Sequence, residues 1–386
     1  MEEWSAHHLY QTAEPLLGKA TALDLKAYAQ KLLRSDLPVI FTLRHLAKIV
    51  GVDYQILRAT VERHREVANY RMFAIKKRSG GRRFIHAVTG PLFTTQKFIN
   101  SELLQQMKPH PASYAFHATG GIRSCASAHC GARWMFQYDL SNFFHNVSEA
   151  DVYSVFLNAG YRPLLAFELA RICTTTRLPM QLQHLLRPHR NSPRYSYQFY
   201  QDTSGAMGVL PQGASTSPML SNLAAMGLDE KLTIFADQHS FTYTRYADDL
   251  TLSSSDDLPE STSVGDVSRA VIKIIRKSGF RENESKTRIA GPGSKKVVLG
   301  LQVDGNTPRL SRETFKRIDR HLHATLKYGL ISVAEHESFD SAIGFYNHLA
   351  GLIAFVKDVD MPRWHSFNEQ FSKIPEPISA GVLESN

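Results

Sequence analysis

Three cysteines in 386 residues, Cys125, Cys130 and Cys173, are too few and too odd in number for a disulfide framework, and they fit a reducing compartment. Cys125 and Cys130 with His129 between them have poor zinc spacing. No apolar run reaches the ~18 residues of a membrane span. The opening MEEWSAHHLYQTAEP has acid where a signal peptide needs base and then an apolar stretch. The expectation is a cytoplasmic protein with no membrane partner. Acid is scarce as well: 36 Asp and Glu against 45 Lys and Arg leave a net charge of +9, which favours a polyanionic partner. No internal repeat is visible. What is present, 43% hydrophobic and 21% charged residues, is ordinary for a globular chain with room for two or three subdomains.

Residues 1–69 read as helices, with apolar residues at i, i+3, i+4 in ALDLKAYAQKLLRS and TLRHLAKIVGVDYQILRATVERHREV. The pair of short helices around Gly51 reads as a small nucleic-acid-binding module or as a helical cap packed on the main domain. Residues 71–90 read as a hairpin turned at Ser79-Gly80-Gly81. Its tip carries Lys76, Lys77, Arg78, Arg82 and Arg83, either a phosphate grip or a solvated turn. Residues 187–207 interleave Arg and His with Tyr and Phe, which suits single-stranded nucleic acid and equally a surface insertion. KKVVLGLQVDGNTPRL reads as a hairpin turned at Asp304-Gly305, and from about residue 310 the pattern is helical and basic.

The oddities are carboxylates. The apolar strand ARWMFQYDL ends in Asp139, and a buried acid is costly unless paired or metal-bound. FTYTRYADDLTLSSS reads as strand, tight turn, strand, with Asp248 and Asp249 at the tip. Asp suits a turn, but adjacent carboxylates also repel unless a divalent cation sits between them. A glycine-punctuated loop carrying Gln212 leads into a helix, and Lys286 follows in GFRENESKT. Three carboxylates from two strands can hold two Mg²⁺ ions, which activate an attacking hydroxyl and stabilise a leaving pyrophosphate. In a basic protein that points to nucleotidyl transfer.

The order of these segments resembles a reverse transcriptase. FQYDLSNFF is similar to the first palm motif, LPQGASTSP to the second, YADD to the third, GFRENESKT to the fourth and LGLQV to the primer grip, over roughly residues 70–305. The resemblance implies an α+β right-hand polymerase with fingers, a palm built on an antiparallel sheet, and a helical thumb. The N-terminal helical extension would be 1–69, fingers and palm 70–305, and the thumb or RNA-binding C-terminal region 306–386. It implies that Asp139, Asp248 and Asp249, with the Leu140 carbonyl, bind two Mg²⁺. Phe144 would be the gate that excludes a 2′-hydroxyl, making dNTPs the substrates. Gln212 and Gly213 would line the nucleotide pocket. Arg83 with Lys76 or Lys77 would hold the triphosphate, with Arg82 a near-equal alternative because the register across SGGRR is open. Lys286 would protonate the pyrophosphate.

Among reverse transcriptases the chain resembles the bacterial retron type. Where that type carries Asn-Ala-x-x-His, CASAH keeps Ala126 and His129 but has Cys125 for Asn. Where it carries Val-Thr-Gly, VLG keeps Val298 and Gly300 but has Leu299 for Thr. These residues are expected at the RNA/DNA-binding surface, with Lys316, Arg317, Arg320, His321, His323 and Lys327 of the thumb. The resemblance implies a structured noncoding RNA partner, priming from a 2′-hydroxyl of one internal guanosine, and a short single-stranded DNA that stays branched to the RNA (msDNA). It also implies anti-phage defence together with an effector protein. The alternatives are a reverse transcriptase of abortive-infection, diversity-generating or small intron type, and a polymerase-shaped RNA-binding scaffold or antitoxin.

Overall fold

The computed structural model describes residues 5–76, 82–176, 182 and 207–377, with Lys76 described through its backbone alone. Strands β1 (Tyr70–Lys76) and β2 (Arg82–Val88) form the expected hairpin, with Lys76 opposite Arg82 and Ile75 opposite Arg83. Lys77 and Arg78 of its tip lie outside the described residues, as does the basic-aromatic stretch except Met207.

The centre is an antiparallel sheet of β3 (Trp134–Asp139), β4 (Thr242–Tyr246), β5 (Asp249–Ser254) and β6 (Arg288–Ala290), in the order β4-β5-β3-β6. Successive side chains of a strand point to opposite faces. Phe136 and Tyr138 enter the larger core, while Met135 enters a second one. Both faces of β3 are thus covered, which is why it reads as a nearly continuous apolar run.

The larger core takes Leu32, Leu46 and Leu57 from the N-terminal helices Lys19–Leu33, Leu43–Val50 and Tyr54–Val61. The pair around Gly51 therefore packs as a cap. Gly51 closes the first helix at φ 67° and Asp53 caps the second.

Behind this cap a buried ion cluster fixes the chain ahead of Gln212. Arg63 meets Glu66 at 3.0 Å and Glu149 at 2.5 Å, and Glu149 also accepts the Gly208 N–H at 3.0 Å. Glu149 stands in the first turn of the helix Glu149–Ala159, whose Ser148 and Asp151 form the expected capping box. Val209 then pairs with Ser148 and Thr175.

The second core joins the underside of the sheet to the C-terminal helices Arg312–Tyr328, Leu330–His336, Ala342–Lys357 and Met361–Phe371. Between sheet and helices, β7 (Val297–Val298) and β8 (Leu301–Gln302) form a hairpin that corrects the expected one. Its turn is Leu299-Gly300, at φ 50° and 85°, the positive pair that two-residue hairpin loops favour. Asp304-Gly305 belongs to a second reversal, after which Gln302 and Arg309 exchange backbone hydrogen bonds of 2.7 and 2.9 Å. No helix among the described residues is long and apolar enough to cross a membrane.

Candidate active site

The sheet register builds the site. Asp139 ends β3 directly opposite Asp249, the first residue of β5. Directly opposed residues share a face, with Cβ atoms about 4.5–5.5 Å apart. The β4–β5 link is only Ala247-Asp248, with Ala247 at φ 56°, so Asp248 is delivered to the same end. The Leu140 N–H donates to the Asp248 carbonyl at 2.8 Å and ties the two strand ends together.

The three carboxylates differ in their surroundings. Asp139 is 7% exposed; its Oδ2 accepts from Lys286 Nζ at 2.5 Å and its Oδ1 from Asn283 Nδ2 at 3.2 Å. Burial first, and then the Asp139 charge, raise the Asp248 pKa; Lys286 and Arg83 pull it back. Asp249 still reaches solvent, yet loss of hydration followed by the charges of Asp248 and Asp139 pushes it up to about 6. Burial by itself would lower Lys286, but its hydrogen bond to Asp139 and the three negative charges raise it. Lys286 thus stays a cation at neutral pH.

Among the described residues no group of three or more His, Cys, Asp or Glu stands in metal-holding geometry. Lys286 Nζ lies on Asp139 instead, at 2.5 Å. The donor set nevertheless fits a hard divalent cation: three carboxylates at one sheet end, two of them with their pKa raised above the ordinary carboxylate value, offset by one lysine.

The residues expected at the nucleotide are placed as follows. Phe144 is half-buried, with ring centroids 5.7 Å from Phe143 and 6.4 Å from Phe116. The Gln212 carbonyl accepts from His86 N–H of β2 at 2.7 Å, so the loop is fastened to the hairpin. Gln212 is half-buried. Gly213, at φ 110°, lies so close to β2 that a β-carbon would sit 3.1 Å from the His86 carbonyl oxygen. Arg82 and Arg83 are both exposed and, as neighbours on β2, point to opposite faces. The charge that reaches Asp248 is that of Arg83, which shares its face with Ile85 beside Gly213. The Lys76 side chain and Lys77 lie outside the described residues.

Four residues expected at the nucleic-acid surface are elsewhere. Ala126, His129 and Val298 are 0–1% exposed and offer no surface to RNA. His129 is clamped between strands, its ring nitrogens 2.6 Å from Ser253 Oγ and 2.7 Å from Thr244 Oγ1; burial lowers its pKa to about 4 and keeps it neutral. His321 is buried edge-on against Phe345, with centroids 5.4 Å apart. Gly300 is exposed in the β7–β8 turn, and Lys316, Arg317, Arg320, His323 and Lys327 are exposed on the helix Arg312–Tyr328.

The residue missed is Arg245. It is fully buried, and its guanidinium holds Asp229 at 2.6 and 2.7 Å, Asn222 Oδ1 at 2.8 Å and the Ala247 carbonyl at 3.2 Å. It supports the tip of the β4–β5 hairpin from below. Its place in the same alternation as Phe241 and Tyr243 was the available signal.

Comparison with known proteins agrees with this geometry. The family of reverse transcriptases (RNA-dependent DNA polymerases) matches residues 75–303. The retron Mx65 reverse transcriptase of Myxococcus xanthus is 33% identical over 337 residues, 86% of this chain and 72% of that protein. The retron Mx162 enzyme of the same organism is 29% identical over 98% of this chain and 77% of its own length. The retron Ec86 reverse transcriptase of Escherichia coli is 27% identical over 90% of this chain and 93% of its own. Family match, relatives and the paired carboxylates of β3 and β5 lead to one conclusion: this chain belongs to the retron-type reverse transcriptases, RNA-directed DNA polymerases.

Proposed function

We propose that the protein copies part of a cognate structured noncoding RNA into single-stranded DNA, starting from a 2′-hydroxyl of that RNA and leaving a branched product. The observation that carries the chemistry is the pairing of Asp139 with Asp249 beside Asp248, at a sheet end faced by the charge of Arg83. Asp139, Asp248 and Asp249, with the Leu140 carbonyl, would hold two Mg²⁺. When bound, such ions lower the pKa of the attacking hydroxyl and neutralise charge on the phosphates. In each transfer the hydroxyl oxygen bonds to the α-phosphorus as the bond to pyrophosphate breaks. The hydroxyl proton passes to water, and Lys286 gives one to the pyrophosphate.

Arg83 holds the triphosphate with Lys76 or Lys77, and Arg82, on the other face of β2, contributes less. Gln212 and Gly213 line the nucleotide pocket and Phe144 closes it against ribose. Lys316, Arg317 and Arg320 grip the duplex from a thumb formed by residues 306–386. The extension 1–69 caps the fingers and palm of residues 70–305. An effector protein encoded nearby would turn this synthesis into defence against phage.

Two results are expected of variants here. Arg83→Ala raises the KM for dNTP roughly 10- to 100-fold, the size of a lost hydrogen bond to a charged group, while Arg82→Ala raises it much less. Steady-state primer extension separates the two. Phe144→Val leaves dNTP use largely intact and raises ribonucleotide incorporation by on the order of 10²-fold, measured by alkali cleavage of the product.

The reading is tested by reconstitution with the RNA transcribed from the DNA beside the gene, dNTPs and Mg²⁺. Label that stays with RNA on a denaturing gel and is released by debranching enzyme supports it. Label attached to protein, or polymer made without template, would replace it with an abortive-infection type of enzyme.

A further inference from the structure

A cavity of about 350 Å³ opens beside the catalytic hairpin, lined by Gln105, Tyr114, Phe116, Ala118 and Tyr246. Its wall is built with care. The Tyr114 N–H donates to the Arg245 carbonyl at 2.8 Å and the Arg245 N–H to Ala112 at 2.7 Å, so the segment runs as a further rung beside β4. The chain then folds back so tightly that a β-carbon on Gly120 would lie 2.1 Å from the Tyr114 carbonyl oxygen. Phe116 sits at φ 68°, a costly conformation for an aromatic residue, and its ring is left 38% exposed. Strained backbone presenting a partly exposed ring, which meets Phe144 at 6.4 Å and otherwise faces the cavity, is the kind of feature that gathers at ligand sites.

The cavity also lies on a particular side of the chemistry. Attacking and leaving oxygens stand roughly in line across the phosphorus. The Arg83 charge that would hold the leaving group bears on Asp248. Tyr246, which borders the cavity, is the register partner of Asp249. Tyr246 thus sets the cavity on the Asp249 side of the carboxylates, and Phe116, 6.4 Å from Phe144, sets it beside the nucleotide pocket, where the attacking ribose would meet the incoming one. Beyond it begins the helix Ile122–Ser127, whose exposed Arg123 donates to the Asp358 carbonyl at 3.0 Å, at the foot of the C-terminal helices.

A primer that attacks through its 3′-hydroxyl ends at the reacting atom and needs no space past it. A ribose that attacks through its 2′-hydroxyl keeps its 3′-phosphodiester, so the strand must continue somewhere. We propose that this groove carries the RNA strand 3′ of the priming nucleotide, its first base stacked among Phe116, Tyr114 and Tyr246 and its phosphates led toward Arg123. Aromatic faces beside a cation are what single-stranded RNA uses. The inference rests on the 2′-priming proposed above and adds the site that 2′-priming requires.

The test compares two reactions of the same protein: initiation on the RNA recovered with the wild-type protein, and extension of a DNA primer annealed to an RNA template. Ala118→Trp fills the groove from an exposed position. Gln105→Glu places a carboxylate against the phosphates at almost unchanged volume, and covers the case in which the tryptophan disturbs folding. The ratio of initiation to extension is expected to fall about tenfold or more in each, as for loss of a stacked base. An unchanged ratio in both, or a parallel loss of both reactions that marks a general template groove, overturns the assignment. A wild-type protein that extends the DNA primer but yields no debranching-sensitive product on its RNA overturns 2′-priming itself, and the groove with it.

Discussion

Asp249→Asn is expected to reduce DNA synthesis by on the order of 10³-fold or more, and at the same time to raise the melting temperature of the metal-free protein. The loss would follow from removing one of the three carboxylates proposed to hold Mg²⁺. The gain follows from the same crowding. Asp249 is held near pKa 6 by lost hydration and by Asp248 and Asp139, against about 4 in an unfolded chain. A carboxyl whose pKa is higher folded than unfolded binds its proton more tightly in the fold. Stability then falls as pH rises from about 4 to 6 and stays lowered above that. Asparagine never ionises and lacks this slope. Adding Mg²⁺ reverses the order, because an ion bound only by the folded state stabilises the wild type and scarcely the variant. Thermal scans at pH 5 and 7.5, with and without Mg²⁺, read all three effects. A variant less stable than the wild type at pH 7.5 without metal contradicts the account.

Asp229→Asn is the second large effect, and it acts through packing. Arg245 has no exposed surface, and Asp229 is its one carboxylate partner among the described residues. Removing that charge strands a buried guanidinium at a cost of about 3–5 kcal/mol in unfolding free energy. Tyr243, whose hydroxyl donates to Asp229 at 2.8 Å, loses a charged acceptor as well. Replacing both members with Leu should recover much of the stability, since a well-packed apolar pair can match a buried ion pair. It should not recover activity, because the Ala247 carbonyl loses its donor and the hairpin tip loses its support. Urea midpoints and primer extension on the two variants and the wild type separate the two roles. Full activity in the double variant would show that Arg245 serves the fold alone.

The site was legible where a local pattern carried it. Asp139 stands out at the end of an apolar strand, and Asp248-Asp249 in a turn between alternating runs, because an uncompensated acid there contradicts its surroundings. Register was not legible. Which acid faces Asp139, and which of Arg82 and Arg83 turns toward Asp248, depends on the partner strand rather than on the strand itself. The same limit misplaced Ala126, His129 and Val298. Their motifs suggested an RNA surface, but the helix Ile122–Ser127 packs beneath the sheet and His129 spends both nitrogens on Thr244 and Ser253. The β7–β8 turn was missed because Leu299 accepts a left-handed φ of 50° without being glycine, whereas Asp304-Gly305 advertised itself and forms only the next reversal.

The central claim is that this carboxylate site makes DNA joined to its own RNA. The most direct measurement is to express the protein with its native flanking DNA, beside Asp248→Asn, Asp249→Asn, and to run the copurifying nucleic acid on a denaturing gel with and without RNase and debranching enzyme. The account predicts a discrete DNA in the wild type alone, shifted by RNase and by debranching. Heterogeneous unbranched DNA, or RNA alone in both samples, would contradict it.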